Sequence, residues 1–233
     1  MIPLHFFKKI TKFIMILVLI FTVVYFGIYL YIKLSPKVEI NTANSVFLYD
    51  KDEQVFFQGN EEKEWVSLDD ISQYVIDATI YTEDKNFYKH HGFDYFRILK
   101  AFYVNLTSGS TQQGASTITQ QYAKNLFLSF DKTWKRKWDE MWYTMKIEAN
   151  YSKDEILEGY LNTINYGHGM YGIENASKYY FGKTAKELDL AEATILTGIP
   201  KSPSNYSPLI DFEAAKERQL LILDLLVDNN IIS

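Results

Sequence analysis

The sequence predicts a mainly α-helical protein preceded by one transmembrane helix, and three observations carry that prediction. Phe13–Ile32 (FIMILVLIFTVVYFGIYLYI) is a run of twenty residues without a charge, about the length a helix needs to cross a ~30 Å hydrocarbon layer. From Ser67 onward the chain is punctuated by helix-start patterns, SLDD at 67–70, SKDE at 152–155 and TAKE at 184–187. In each, a hydroxyl residue stands three places before an acid, the capping-box spacing. Aromatic residues make up 16% of the chain, which argues for a packed core and against disorder.

The elements follow in order. Lys8, Lys9 and Lys12 precede the apolar run, while Lys33 and Lys37 follow it alongside acids. That bias favours a cytoplasmic N-terminus and an external C-terminal domain. Tyr25, Tyr29 and Tyr31 suit an interfacial belt, and no A-x-A site follows, so the segment reads as an uncleaved anchor rather than a signal peptide. The expected organisation is a cytoplasmic tail (1–12), an anchor (13–32), a stalk with a small β element (33–65) and a globular domain (66–233). VFLYD and QVFFQ, separated by KDE, read as a hairpin. SLDD opens a helix to about Tyr81. NLTSGSTQQGAS (105–116) is a polar loop whose Ser116 caps TITQQYAKNLF. A long helix covers 132–151, and SKDE caps EILEGYLNTI. NYGHGMYG (165–172) is a turn-rich break before a helix at 173–181. TAKE opens a short segment, LAEATILTGI runs into the proline-interrupted PKSPSNYSP, and an amphipathic helix covers 211–228.

Composition narrows the function. The chain has no cysteine, which removes a disulfide scaffold, a thiolate metal site and a thiol nucleophile. Residues 1–32 hold three of the 24 basic residues and none of the 29 acids. The remainder has 21 basic residues against 29 acids, a formal charge of −8, so nucleic acid is not an expected partner.

Three stretches could carry chemistry. TEDKNFYKHHGFD (82–94) sets Glu83 and Asp84 between an apolar helix and an aromatic-rich segment. A carboxylate in such a setting can serve as a general base or acid. His90 and His91 are neighbours, about 100° apart on a helix, so a metal site is a weak reading and orientation of the loop by hydrogen bonding a stronger one. GASTITQQ (114–121) carries polar residues into a helix start, suited to an anion or a sugar hydroxyl. In KTWKRKWDEMW (132–142), Lys132, Arg136 and Glu140 are spaced by four, with Lys137 three before Glu140. From Lys124 to Lys146 six basic residues face three acids, a local cationic patch that suits a phosphate or pyrophosphate. An isolated acid pair plus such a patch fits sugar transfer with a pyrophosphate leaving group, where cations stabilise the departing charge. A glycosidase would instead use a second carboxyl as acid.

These residues resemble the peptidoglycan glycosyltransferases, the transglycosylase family of the class A penicillin-binding proteins (glycosyltransferase family 51), in their monofunctional, single-anchor form. The resemblance rests on EDKNFYKHHG (83–92), GASTITQQ with AKN following, RKWDE (136–140), KDEILEGYLNTINYG (153–167) and GIPKSPSNYSP (198–208), in the family's order over residues 66–227. It implies a lysozyme-like domain with a small jaw subdomain partly embedded in the membrane. It implies polymerisation of lipid II into β-1,4-linked glycan strands by inverting transfer, with release of undecaprenyl pyrophosphate. Glu83 matches the general base, Asp84 its support and Glu140 the second essential carboxylate. Lys124, Lys132, Arg136 and Lys137 match the phosphate-binding positions, and Ser116, Thr117, Gln120 and Gln121 the cleft lining. Mg²⁺ or another divalent cation is the implied, weakly bound cofactor, with no ligand set identified. The implied partners are lipid II, the nascent strand, the bilayer and other cell-wall synthases, at a bacterial cell membrane with the catalytic domain outside.

The chain departs from the family at three positions. Lys132 and Lys100 stand where similar members often have Arg, which keeps charge but loses the bidentate fork. Ser72 stands where a Pro is common. Two other functions compete: a lysozyme-like hydrolase or lytic transglycosylase, which has no use for the cationic patch, and a catalytically silent membrane scaffold, which has no need of the acids. The expectation is a monofunctional enzyme rather than a truncated bifunctional one.

Overall fold

The computed structural model describes residues 4–37, 46–49, 55–59, 64–108, 114–127 and 133–233, with side chains described outside residues 4–10, residue 21 and the two strands. The chain falls into two compact units, residues 1–38 and 39–233. The first holds helix α1 (Leu4–Leu34). Within it Thr11–Leu34, 24 residues of mean hydropathy 2.7, is long and apolar enough to cross a membrane, and the predicted Phe13–Ile32 run lies inside that span.

The second unit opens with the predicted hairpin. Strands β1 (Val46–Tyr49) and β2 (Val55–Gly59) are antiparallel, with Val46 opposite Gly59, Leu48 opposite Phe57 and an irregularity between Leu48 and Tyr49. The stalk residues 38–45 lie outside the described residues.

The rest is helical: α2 (Gln73–Glu83), α3 (Tyr95–Ser108), α4 (Ile118–Phe127), α5 (Trp134–Asn150), α6 (Lys153–Leu161), α7 (Ile173–Phe181), α8 (Leu190–Gly198), the short α9 (Pro203–Tyr206) and α10 (Phe212–Asp228). Local chemistry explains most of the boundaries. Ser152 and Glu155 form a reciprocal capping box at the start of α6, as do Asp189 and Glu192 at α8, and Asp211 caps α10.

Three expectations are corrected. SLDD does not start α2. The Ser67 hydroxyl donates to the Asp70 carboxylate (2.8 Å) instead of accepting from a helix N–H, so the stretch closes only a 3₁₀ turn and α2 begins at Gln73. Ser72 precedes α2; its hydroxyl donates to the Leu188 carbonyl (2.7 Å) and its N–H to that of Ala185 (3.0 Å). A proline there could make neither bond. Helix α3 lies where the sequence was read only as an aromatic-rich segment leading into a loop. Asp94 precedes it, and its Oδ1 accepts from the Arg97 N–H (3.0 Å) in the first turn. Burial alone would raise the Asp94 carboxyl, but hydrogen bonds from the Asn86 amide and the Arg97 N–H outweigh it and hold the group below its usual value. Finally, Thr117 rather than Ser116 caps α4, accepting from the Gln120 N–H (3.2 Å).

The core lies where α2, α4, α5 and α6 converge, around Val75, Phe87, Ile118, Tyr122, Ile147 and Leu157, all fully buried. Gly159 sets the closeness of α4 and α6, because a Cβ there would stand 2.1 Å from the Tyr122 hydroxyl. A smaller cluster of Ala78, Ile222 and Leu226 fastens α10 to α2.

Candidate active site

The two neighbouring acids part company because α2 ends between them. Glu83 is its last residue, whereas Asp84 leaves the helix with φ −157° and ψ 72°. The chain turn that follows drives Asp84 into the protein, 1% exposed, and leaves Glu83 partly open.

Asp84 is enclosed by donors. His90 Nε2 lies 2.9 Å from both carboxylate oxygens, the Ile118 N–H donates to Oδ2 (3.1 Å), and Arg97 Nη1 stands 4.0 Å from Oδ1. A carboxylate accepts only, so Nε2 carries the proton of the histidine contact. The Ile118 bond places negative charge at the start of α4, where the helix dipole favours it. Phe87 packs edge-on against His90 at 6.4 Å between centroids. The Gly92 carbonyl accepts from the Thr117 hydroxyl (2.7 Å). With φ +84°, Gly92 has no room for a Cβ, which would meet Thr144 Cγ2 at 2.8 Å. Thus Asp84, Phe87, His90 and Gly92 tie the acid loop to α4 and α5, as expected of a loop-orienting histidine. His91 is exposed.

Helix α4 serves both remaining carboxylates with consecutive glutamines. Gln121 Nε2 donates to Glu83 Oε2 (2.7 Å), and Gln120 Nε2 points at Glu140 Oε1 (3.4 Å). Each amide oxygen is held from behind, that of Gln121 by the Tyr160 hydroxyl (3.2 Å) and that of Gln120 by the Thr117 N–H (3.1 Å). Arg97 Nη1 donates to the Glu83 carbonyl, steadying the end of α2.

Glu140 on α5 is 3% exposed and pairs with Lys137, whose side chain is 44% exposed. The sequence spacing puts Arg136 and Lys132 on one flank with Glu140 and Lys137, three before it, nearby; of these the ion-pair partner is Lys137. Side chains on a helix lean toward its N-terminus, so i−3 and i−4 are both within reach. Arg136 is half-buried, and its Nε has no hydrogen-bond partner among the described residues. Lys124 sits one turn beyond Gln120 and Gln121 on α4, half-buried and without an ion pair among the described residues. Lys132 lies outside the described residues, before α5 begins. Ser116 is exposed, while Thr117 and Gln120 are buried parts of the framework.

The described residues bring together no group of three or more His, Cys, Asp or Glu side chains that could hold a metal.

Two contributors were not singled out from the sequence. Arg97 had no motif to mark it. Tyr160 lay inside KDEILEGYLNTINYG without an assigned role, although a tyrosine in a helix-packing block is a candidate for a buried hydroxyl donor.

A family model described as Transglycosylase matches residues 51–227. Penicillin-binding protein 2D of Bacillus subtilis (strain 168) is 53% identical over 201 residues, covering 85% of this chain and 29% of the relative. Penicillin-binding protein 1F of the same organism is 40% identical over 236 residues, 97% and 33% respectively. Penicillin-binding protein 1A of Neisseria gonorrhoeae is 43% identical over 187 residues, 80% and 23%. The chain therefore spans a third or less of the length of these relatives. The crystal structure of penicillin-binding protein 1A from Haemophilus influenzae aligns with a TM-score of 0.44 at 25% identity, over 84% of this chain and 20% of that one.

Proposed function

Because the chain belongs to the transglycosylase family of the class A penicillin-binding proteins, we propose that it polymerises lipid II into β-1,4-linked glycan strands. The observation that carries this reading is the pairing of a partly open carboxylate, Glu83, with a buried, lysine-neutralised one, Glu140, across the start of α4.

In this reading Glu83 takes the proton from the acceptor's 4-hydroxyl as that oxygen attacks the donor's anomeric carbon with inversion. The anomeric carbon's bond to the pyrophosphate oxygen breaks, and undecaprenyl pyrophosphate leaves with the bonding electrons. Its charge is met by Lys124, Arg136 and Lys137, with Lys132 a fourth candidate. The Arg136 Nε, buried and with no hydrogen-bond partner among the described residues, is a donor that a phosphate oxygen would satisfy. Asp84 holds the frame, and Glu140 keeps Lys137 oriented within the donor side. A divalent cation, where used, would be held chiefly by the substrate's own phosphates.

A bilayer substrate needs a bilayer-facing enzyme. Helix α3 buries only Ala101 and exposes Tyr95, Phe96, Leu99, Phe102, Tyr103 and Leu106, spaced three and four apart on one apolar face. We assign this face to the membrane surface, with α1 as a single-pass anchor, the N-terminus cytoplasmic and the catalytic domain outside. Replacing both Phe96 and Phe102 with Asp should lower retention on phospholipid vesicles of residues 39–233, the unit that carries the site, by about tenfold or more, while thermal unfolding stays unchanged. Equal retention of both proteins would remove the membrane assignment of α3. Each buried apolar side chain supplies about 1.5–3 kcal/mol, so two losses suffice for that change.

The function is tested by gel-resolved polymerisation of labelled lipid II by the full chain in detergent or bilayers. Long glycan strands are expected. Shortening of preformed glycan without new polymer would replace the transferase by a hydrolase, and neither activity would leave a membrane scaffold.

A further inference from the structure

We propose that Tyr160 is a positioning residue for the reaction, acting through Gln121 on the Glu83 carboxylate; this rests on the reading of Glu83 as the base. Tyr160 is 1% exposed in α6 and cannot touch a substrate in the cleft. Its hydroxyl nevertheless reaches the Gln121 amide oxygen at 3.2 Å, and the same amide's nitrogen reaches Glu83 Oε2 at 2.7 Å.

The polarity of this relay is dictated by its ends. An ionised carboxylate offers no proton, so the Gln121 NH₂ must face it, which turns the amide oxygen toward Tyr160. Tyr160 must then donate. Burial, reinforced by the nearby Glu83 charge, holds its phenol well above the usual value, so the O–H is present throughout the working pH range. The relay ties up Oε2 and leaves Oε1 as the oxygen with no partner among the described residues, the one able to take the acceptor's proton. Without the Tyr160 donor, the Gln121 amide loses one of the two bonds that fix its orientation and is held by Glu83 alone. The flipped form would set a carbonyl oxygen against the carboxylate. The arrangement at Gln120, held by the Thr117 N–H and aimed at Glu140, is the same device built on a backbone donor.

The test uses the full chain in detergent micelles, labelled lipid II and the variants Tyr160→Phe, Gln121→Ala and the double substitution. Tyr160→Phe should lower kcat about fivefold to tenfold, the scale of one hydrogen bond, with KM unchanged. In the Gln121→Ala background the Tyr160 substitution should have no further effect. A kcat equal to wild type, a change confined to KM, or an undiminished effect in the Gln121→Ala background would each overturn the proposal. The contact is read separately from the wild-type side-chain amide signals in ¹⁵N-glutamine spectra. The Gln121 NH₂ should exchange slowly with water, and Tyr160→Phe should collapse that protection. A freely exchanging Gln121 amide in the wild type overturns the proposal without recourse to any variant. Absence of polymer from the wild type, with a protected amide, would instead sink the proposed reaction while leaving the relay standing.

Discussion

Glu83→Gln should lower the rate of lipid II polymerisation by about 10²–10⁴-fold, the usual contribution of a positioned general base. The substitution is close to isosteric, and Gln121 Nε2 can still donate to the new side-chain oxygen, so the fold has little reason to change. Glu83 is partly open, and among the described residues Oε2 has one side-chain donor, Gln121. Thermal unfolding of the variant should therefore match wild type within a degree or two. What is lost is an oxygen able to accept the acceptor's proton, because an amide carbonyl is a far weaker base than a carboxylate. The measurement is strand formation against time for both proteins, beside their melting curves. Equal polymerisation would keep the transferase and remove Glu83 from the role of base. Loss of activity together with a large drop in melting temperature would instead assign Glu83 to the framework.

How far the sequence led can be argued residue by residue. Boundaries set by local chemistry were legible: the Ser152–Glu155 capping box and the α7 limits are encoded within a few positions. Boundaries set by tertiary partners were not. Residue type favours Ser116 as the cap of α4. Thr117 wins because its hydroxyl also reaches the Gly92 carbonyl, 25 residues away. Helix α3 was hidden because its apolar face is not turned into the core, so its aromatics read as belonging to the acid loop. The chemistry-bearing acids were legible from residue type and motif, but their division of labour depends on α2 ending at Glu83, which spacing does not reveal. Nor does spacing choose Lys137 over Arg136 as the partner of Glu140; that depends on which side chain the fold leaves beside a buried carboxylate.

Asp84→Ala should be a folding variant first and an activity variant second. The carboxylate is 1% exposed and accepts from His90 Nε2 and the Ile118 N–H, with Arg97 close by. Removing it strands a buried imidazole donor and the first N–H of α4, and leaves the nearby guanidinium without its counter-charge. Breaking a buried charged arrangement from one side costs about 3–5 kcal/mol. For a domain of this size each kcal/mol lowers the melting temperature by roughly 2–4 °C, so a fall of about 6–20 °C is expected. Asp84→Asn should recover part of it. The amide oxygen can still accept from Ile118, and the amide nitrogen can donate to His90 Nε2 once the ring proton moves to Nδ1, which is buried with no partner among the described residues. Activity should follow stability across the two variants, because the acid loop that Asp84 anchors also carries Glu83. A melting temperature equal to wild type in Asp84→Ala, with polymerisation lost, would transfer Asp84 from the frame to the chemistry. The two adjacent acids would then act as a pair, in place of one base standing on one support.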